Sequence, residues 1–198
     1  MTETDDLQTR LRTGAGAEEP PDLSQAAARA GLLDVAYAVE DSPLGPLLLA
    51  GTEAGLVRLA YLSESGEDEV LAGLAQRISP RVLAAPDRLD GARRELAEYF
   101  DGRRTRFELA LDDRLMAGFA RRVLAATARV AYGETSTYAR VAESAGSPRA
   151  WRAAGNALGA NPLPIVVPCH RVLLSSGRLG YYTGGVERKR ALLAIEGH

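Results

Sequence analysis

Cysteine, histidine and tryptophan are scarce in this chain of 198 residues, which has one cysteine, two histidines and one tryptophan. A single cysteine excludes an internal disulfide and any metal site built from several thiolates. No apolar run reaches the ~18 residues that a membrane span requires, and the acidic, polar N-terminus is unlike a secretory signal. Because 46% of the residues are hydrophobic, the chain can bury a core. We expect a soluble cytoplasmic protein.

Acidic and basic residues are distributed unevenly along the chain. Residues 1–113 carry 12 Arg and 22 acidic residues, a charge of −10, whereas residues 114–198 carry 11 Arg, one Lys and 4 Glu, a charge of +8. A basic segment of this size can attract polyanions such as nucleic acid. Opposite charges could equally hold the two halves together, so the charge pattern leaves both interpretations open.

Composition and periodicity divide the chain into three regions. Residues 1–31 form a polar tail interrupted by Gly and Pro. Residues 32–113 predict a small α+β domain with three antiparallel strands, two helices over about Val70–Ile78 and Leu89–Phe100, and one more strand through Phe107–Leu111. This domain contains no cluster of catalytic residue types, so we interpret it as a scaffold.

Residues 114–198 predict a mainly helical domain. A helix stripe runs from Met116 to Ala126, and two shorter helices over 138–145 and 149–158 are separated by Gly146. The second is expected to start with Ser147 as N-cap and Pro148 at its first position. Two short helices joined by a tight glycine turn are typical of a helix-turn-helix.

The second of these helices has features suited to DNA. Arg149 and Arg152 are three residues apart and share a face, while Ala153 and Gly155 keep the helix thin, so its backbone can approach a groove. An ordinary surface helix rich in alanine for its helix propensity fits the same pattern.

The only cysteine and the only internal histidine, Cys169 and His170, are adjacent in the sequence. They follow the apolar run Ile165–Val167, which predicts a short buried strand ended by Pro168. A rigid position just past a strand end suits a reactive group, and a cysteine thiolate is a good nucleophile. The simpler alternative is a cysteine that acts only as a small buried hydrophobe.

Several segments together resemble one known family. They are Tyr132–Tyr138, Asn161–Pro164, Pro168–Val172, Tyr182–Gly185 and Glu196. With this spacing the chain resembles the O6-alkylguanine-DNA alkyltransferases, also called methylated-DNA–protein-cysteine methyltransferases. The resemblance is close over about residues 115–197 and loose in the N-terminal domain. It implies an α+β fold in which a small domain with an antiparallel sheet and helices precedes a winged helix-turn-helix-like alkyltransferase domain.

The resemblance also implies a reaction. An alkyl group would move from the O6 atom of guanine to Cys169, irreversibly and in a single turnover. His170 would accept the thiol proton through a water molecule, Glu196 would orient the imidazole, and Asn161 would brace the active-site turn. The substrate-binding set implied by the family comprises Tyr138, Pro164, Val172, Tyr182 and Thr183.

The implied partner is double-stranded DNA carrying O6-alkylguanine, with O4-alkylthymine left open as a substrate. The damaged base must leave the stack to reach a protein thiol, and Arg152 would fill the gap, although a phosphate-binding arginine is an alternative. Arg149, Ala153 and Gly155 complete the DNA-binding set. We expect a monomer that needs no cofactor, metal or membrane.

Several positions depart from the family pattern, Trp151 and Tyr181 among them, and two other functions remain open. Trp151 stands where a small residue is usual and either packs inward or alters the fit to the groove, while Tyr181 is expected to narrow the pocket. A lesion sensor that flips the base without repairing it would leave Cys169 unmodified. A hydrolase or acyltransferase with His170 as base to Cys169 would turn over repeatedly.

Overall fold

The structure is a computed structural model that describes residues 26–27, 29–63 and 66–198. The tail predicted for residues 1–31 therefore lies almost entirely outside the described residues. The rest of the described chain combines a four-stranded mixed sheet and a two-stranded sheet with a set of helices, as the α+β prediction required.

A four-stranded sheet forms the centre of the N-terminal half. Its strands are β1 (Val35–Glu40), β2 (Leu47–Thr52), β3 (Gly55–Tyr61) and β4 (Val82–Ala84), in the order β3-β2-β1-β4. The first three strands form the predicted antiparallel meander, and β4 pairs parallel to β1. We did not predict β4, because three residues are too few to show an alternating pattern.

The strand predicted through Phe107–Leu111 is wrong. This segment makes only an isolated bridge in which Leu111 pairs with Leu56, and the amide of Leu56 donates to the carbonyl of Ala110. Phe107 and Leu109 instead pack their side chains against the core. The alternation was therefore a burial pattern in an irregular segment rather than a sheet ladder.

Alternation along β2 assigns its side chains to two cores. Leu48 and Ala50 pack with Val70 and Leu74 of the first helix, α1 (Glu67–Arg77). Leu47 and Leu49 face a larger core that includes α2 (Asp90–Phe100), which follows a 3₁₀ turn over Pro86–Leu89. That larger core continues into the C-terminal helices, so the two halves share one apolar interior.

The C-terminal half contains four helices: α3 (Gly118–Thr127), α4 (Tyr138–Ser144), α5 (Trp151–Gly159) and α6 (Val186–Ile195). Short strands β5 (Ser136–Thr137) and β6 (Val172–Leu173) pair in parallel. The hydroxyl of Thr137 caps α4 by accepting from the amide of Arg140, and Gly146, with φ of 76°, turns the chain between α4 and α5.

Helix α5 begins two residues later than predicted, at Trp151, with Ala150 at its N-cap and no side-chain cap. Residues Ser147 to Ala150 form a separate turn, closed by a hydrogen bond from the amide of Ala150 to the carbonyl of Ser147. Arg149 consequently lies in this turn and does not share a helical face with Arg152.

The strand predicted for Ile165–Val167 is also wrong. Ile165 has φ of 72°, in the left-handed region that β-branched residues rarely adopt. The amides of Val166 and Val167 donate back to the carbonyls of Pro164 and Leu163 in successive tight turns. The run is apolar because Leu163, Ile165 and Val167 enter the larger core as part of these turns.

Candidate active site

Cys169 begins a 3₁₀ turn over Cys169–Arg171 that follows the tight turns just described. The residue is 4% exposed. The side-chain amide of Asn161 donates to its sulfur, with 3.2 Å between Nδ2 and Sγ, and also to the carbonyl of Val167 at 2.9 Å. The Oδ1 atom of Asn161 accepts from the amide of Leu163 at 3.0 Å, which fixes the orientation of its amide group.

The surroundings of Cys169 keep its thiol protonated in the resting site. Burial raises the pKa of Cys169 to about 11, although the hydrogen bond from Asn161 and the charge of Lys189 act to lower it. Since a thiolate is the reactive form, a nearby base must remove the proton when a substrate arrives.

His170 is suited to act as that base. Its ring is completely buried, and Nε2 lies 2.9 Å from Oε1 of Glu196. Among the described residues, Nδ1 has no hydrogen-bond partner. Because an ionised carboxylate only accepts hydrogen bonds, Nε2 carries the hydrogen and Nδ1 keeps a free lone pair. Burial lowers the pKa of His170 despite the adjacent carboxylate, so the imidazole is neutral near pH 7.

Glu196 follows the last residue of α6 and collects hydrogen bonds from three side chains. Besides His170, Tyr99 donates to Oε1 at 2.7 Å, and Arg171 donates through Nε to Oε2 at 2.8 Å and through Nη2 to Oε1 at 2.9 Å. Burial alone would raise the pKa of Glu196, but these donors lower it to about 2. The carboxylate therefore stays ionised and fixes the imidazole tautomer.

Sequence reasoning missed three residues of this network. Arg171 directly follows the Cys169–His170 pair, which was a usable signal for its position. Tyr99 lies near the end of α2 in the predicted scaffold, and nothing in its local sequence indicated this contact. Lys189, the single lysine of the chain, is completely buried and its Nζ donates to the carbonyl of Val172 at 2.5 Å. Burial lowers the pKa of Lys189 to about 8.

The residues expected to hold the substrate lie around this network. Tyr182 is buried, with 2.9 Å between its hydroxyl and that of Tyr61. Thr183 donates from Oγ1 to the carbonyl of Gly159 at 2.8 Å. Pro164 lies in the buried turns that precede Cys169. The carbonyl of Val172 already accepts from Lys189, which leaves one lone pair for a ligand.

Tyr138, the fifth of these residues, lines an open groove of about 690 Å³. One face of α5 provides much of the wall, through Trp151, Arg152, Gly155, Asn156, Gly159 and the adjoining Ala160. Tyr181 lies at the far end, 73% exposed, with its ring near Gly159. The hydroxyl of Tyr138 donates to the carbonyl of Tyr181 at 3.3 Å. Cys169 does not line this groove.

Of the four predicted DNA-binding residues, two line the groove and two do not. Arg152 is exposed and lines the groove, where Gly155 forms part of the wall. Ala153 is exposed on α5, and Arg149 is exposed in the preceding turn, but neither lines the groove. Trp151 does not pack inward, because its side chain is 47% exposed.

The described residues hold no cluster of three or more His, Cys, Asp or Glu side chains placed to bind a metal ion. Within the same part of the chain, every helix is too short or too polar to pass through a bilayer.

A buried thiol beside a histidine–glutamate pair, joined to a helix-turn-helix, defines a class of protein in which a cysteine nucleophile is combined with a nucleic-acid-binding fold. Two family models match the chain: the 6-O-methylguanine DNA methyltransferase ribonuclease-like domain over residues 35–112 and the DNA-binding domain of the same family over residues 118–198. The chain therefore belongs to the 6-O-methylguanine DNA methyltransferase family.

Individual relatives support this assignment. The methylated-DNA–protein-cysteine methyltransferase of Mycolicibacterium paratuberculosis is 43% identical over 162 residues, covering 82% of this chain and 92% of the relative. The human protein of the same name is 39% identical over 165 residues, covering 80% of this chain and 78% of its own length. A crystal structure of Mycobacterium tuberculosis OGT in complex with DNA superposes with a TM-score of 0.70 at 40% identity, covering 81% of this chain and 92% of that one.

Proposed function

We propose that this protein repairs DNA directly, by moving an alkyl group from the O6 atom of guanine to Cys169. The observation that carries the proposal is a buried thiol followed directly in the chain by a buried imidazole whose Nδ1 has no hydrogen-bond partner among the described residues. Membership of the family, and the names of relatives at 39–43% identity, support the alkyl-transfer chemistry.

The hydrogen bonds of His170 and Cys169 support a proton transfer that starts the reaction. His170 accepts the thiol proton at Nδ1, through a bridging water as the family resemblance implies. Glu196 stabilises the resulting imidazolium through the hydrogen bond at Nε2, as the acid of a catalytic triad does. The hydrogen bond from Asn161 to Sγ persists in the thiolate and favours the charged form.

The thiolate sulfur then attacks the alkyl carbon. A carbon–sulfur bond forms while the carbon–O6 bond breaks, and the electron pair remains on the guanine, which takes up the released proton. The products are an unmodified guanine and an S-alkyl cysteine. A thioether is a poor leaving group, and the chain has no second cysteine to accept the alkyl group, so each molecule reacts once.

Access to the sulfur requires an extruded base. The thiol is buried and does not line the open groove, so a base within an intact duplex cannot reach it. The groove beside α5 supports entry from the side of Tyr138 and Tyr181, and Tyr182 and Thr183 close over the base, as the family resemblance implies. Arg152, exposed at the start of α5, fills the space that the base leaves.

The partner we propose is double-stranded DNA carrying O6-alkylguanine. The net charge of +8 over residues 114–198 favours binding to the phosphate backbone. One chain provides every residue of the proposed site, which supports a monomeric repair protein.

Mass spectrometry of the intact protein tests this proposal. After incubation with duplex DNA containing O6-methylguanine, we expect one methyl group per molecule, located on Cys169, and a reaction that stops after one equivalent. Cys169→Ser is the control, which should bind the same duplex without forming an adduct. Repeated turnover would indicate a hydrolase or acyltransferase, and binding without an adduct on Cys169 would indicate a lesion sensor. Either result contradicts the proposal.

A further inference from the structure

The only tryptophan of the chain, Trp151, is the first residue of α5, and its side chain is nearly half exposed. The guanidinium of Arg152 lies over its ring, with 4.6 Å between Cζ and the ring centroid. This distance is within the range of a cation–π interaction. The two side chains therefore form a layered pair, with a flat cation on one ring face, at the edge of the groove.

The position of this pair separates it from the base-binding end of the groove. Trp151 and Gly159 are eight residues apart on one helix, which corresponds to about 12 Å along its axis. Tyr181 and the residues that close over a base lie at the Gly159 end. Trp151 is therefore too distant to cover the extruded base and lies at the other end of the groove, on the same side as Arg152.

Resting on the proposed function, we propose that Trp151 is a second stacking residue for DNA, acting with Arg152 as a two-layer wedge beside the extruded nucleotide. Proteins that distort duplexes insert flat or apolar side chains between base steps, and an aromatic ring stacks on any base without sequence preference. Arg152 holds the ring from one side, and the exposed part of the ring is available to an unstacked base. This assigns a DNA-binding role to a residue that departs from the family pattern.

Intrinsic fluorescence tests the stacking directly, because Trp151 is the only tryptophan. Titration with a duplex containing O6-methylguanine should quench its emission, and Trp151→Phe, which has no tryptophan, gives the background. Emission that is unchanged at saturating DNA, with binding followed in parallel by a labelled duplex, would overturn the inference.

Kinetics of Trp151→Ala provide a second measurement. Removing a base–aromatic stack costs about 1–3 kcal/mol, so the ratio of the rate on duplex to the rate on free O6-benzylguanine should fall about 5- to 150-fold. Trp151→Phe should recover much of the loss, while Leu83→Ala, which truncates an exposed side chain on β4, should leave the ratio unchanged. A ratio unchanged in Trp151→Ala would overturn the inference.

The same experiment distinguishes this inference from the proposed function. If wild-type protein forms no adduct on Cys169 with either substrate, the proposed function fails. If wild type forms the adduct while Trp151 neither changes its emission nor affects the duplex ratio, only the stacking role fails.

Discussion

The carboxylate of Glu196 and the imidazole of His170 lie 2.9 Å apart, and both side chains are inaccessible to solvent. Oε1 accepts a hydrogen bond from the N–H at Nε2. The other ring nitrogen, Nδ1, is therefore unprotonated and has no hydrogen-bond partner among the described residues. The ring is therefore held in the tautomer that the proposed proton transfer requires.

The first prediction concerns the pH dependence of alkylation. We expect the rate with free O6-benzylguanine to rise with pH through a midpoint below 6.5, the usual pKa of histidine, because burial lowers the pKa of His170 and only the neutral ring accepts a proton. A pH–rate profile measured by mass spectrometry checks this expectation. A midpoint at or above 9, the usual pKa of a thiol, would mean that Cys169 ionises without His170.

The second prediction concerns stability in acid. The folded pKa of Glu196 is about 2 instead of its usual 4.5, so the stabilisation by its charge is complete above pH 4.5 and is lost as pH falls towards 2. Glu196→Gln should lower the free energy of unfolding at neutral pH by about 3–5 kcal/mol, because it leaves Arg171 buried without a countercharge. Its stability should also fall less than that of wild type between pH 4.5 and 2.

Urea denaturation at a series of pH values measures both effects. Glu187→Gln is a matched control on α6, since its side chain is 84% exposed. If the free energy of unfolding falls by the same amount in wild type and in Glu196→Gln between pH 4.5 and 2, Glu196 does not titrate in this range.

The third prediction concerns Asn161. Replacement by Ala removes the donor to Sγ of Cys169, so the pKa of the thiol should rise further and the rate with O6-benzylguanine should fall. It also leaves the amide of Leu163 without its partner, at a cost of about 1–3 kcal/mol, whereas the carbonyl of Val167 keeps the hydrogen bond from the amide of Cys169. The pH dependence of iodoacetamide labelling measures the thiol, and thermal unfolding measures the stability. If the pH dependence of labelling is unchanged, Asn161 only braces the turn and does not affect the pKa of the thiol.

The fourth prediction compares Arg152 with Arg149. Arg152→Ala should slow the reaction on duplex DNA at saturating protein much more than the reaction with free O6-benzylguanine, because only the duplex requires a base to be extruded. Arg149→Ala removes an equal charge from the turn outside α5, so it should weaken duplex binding in a salt-dependent way and leave the rate of the bound complex intact. If the two variants change duplex binding and the rate of the bound complex equally, Arg152 acts only as a phosphate-binding residue.

Much of the architecture could be predicted from sequence because amphipathic periodicity and glycine turns act locally. The meander and α2 follow such patterns. The strand predicted for Ile165–Val167 was wrong because an apolar run does not reveal whether its residues enter the core as a strand or as turns. The two prolines beside the run are compatible with either structure. Strand β4 forms because it pairs with β1, and a sequence pattern of only three residues cannot predict this pairing.

The adjacent Cys169 and His170 were visible in the sequence as a rare pair. The partner carboxylate was not, since only the family resemblance indicated Glu196. Tyr99 and Lys189 could not be found, because their contacts join elements distant in sequence. The roles assigned to these residues remain predictions that the variants above can test.

Two tyrosines of the N-terminal half form hydrogen bonds to the C-terminal half: the hydroxyl of Tyr61 bonds to that of Tyr182, and the hydroxyl of Tyr99 donates to Glu196. The first member of each pair belongs to the half we interpreted as scaffold. A chimera that joined residues 114–198 to an unrelated N-terminal domain would keep its thiol and imidazole, yet lack a donor to Glu196 and a neighbour for Tyr182. The two halves are thus expected to have changed together during evolution, and exchanging them between relatives would succeed only where both tyrosines are kept.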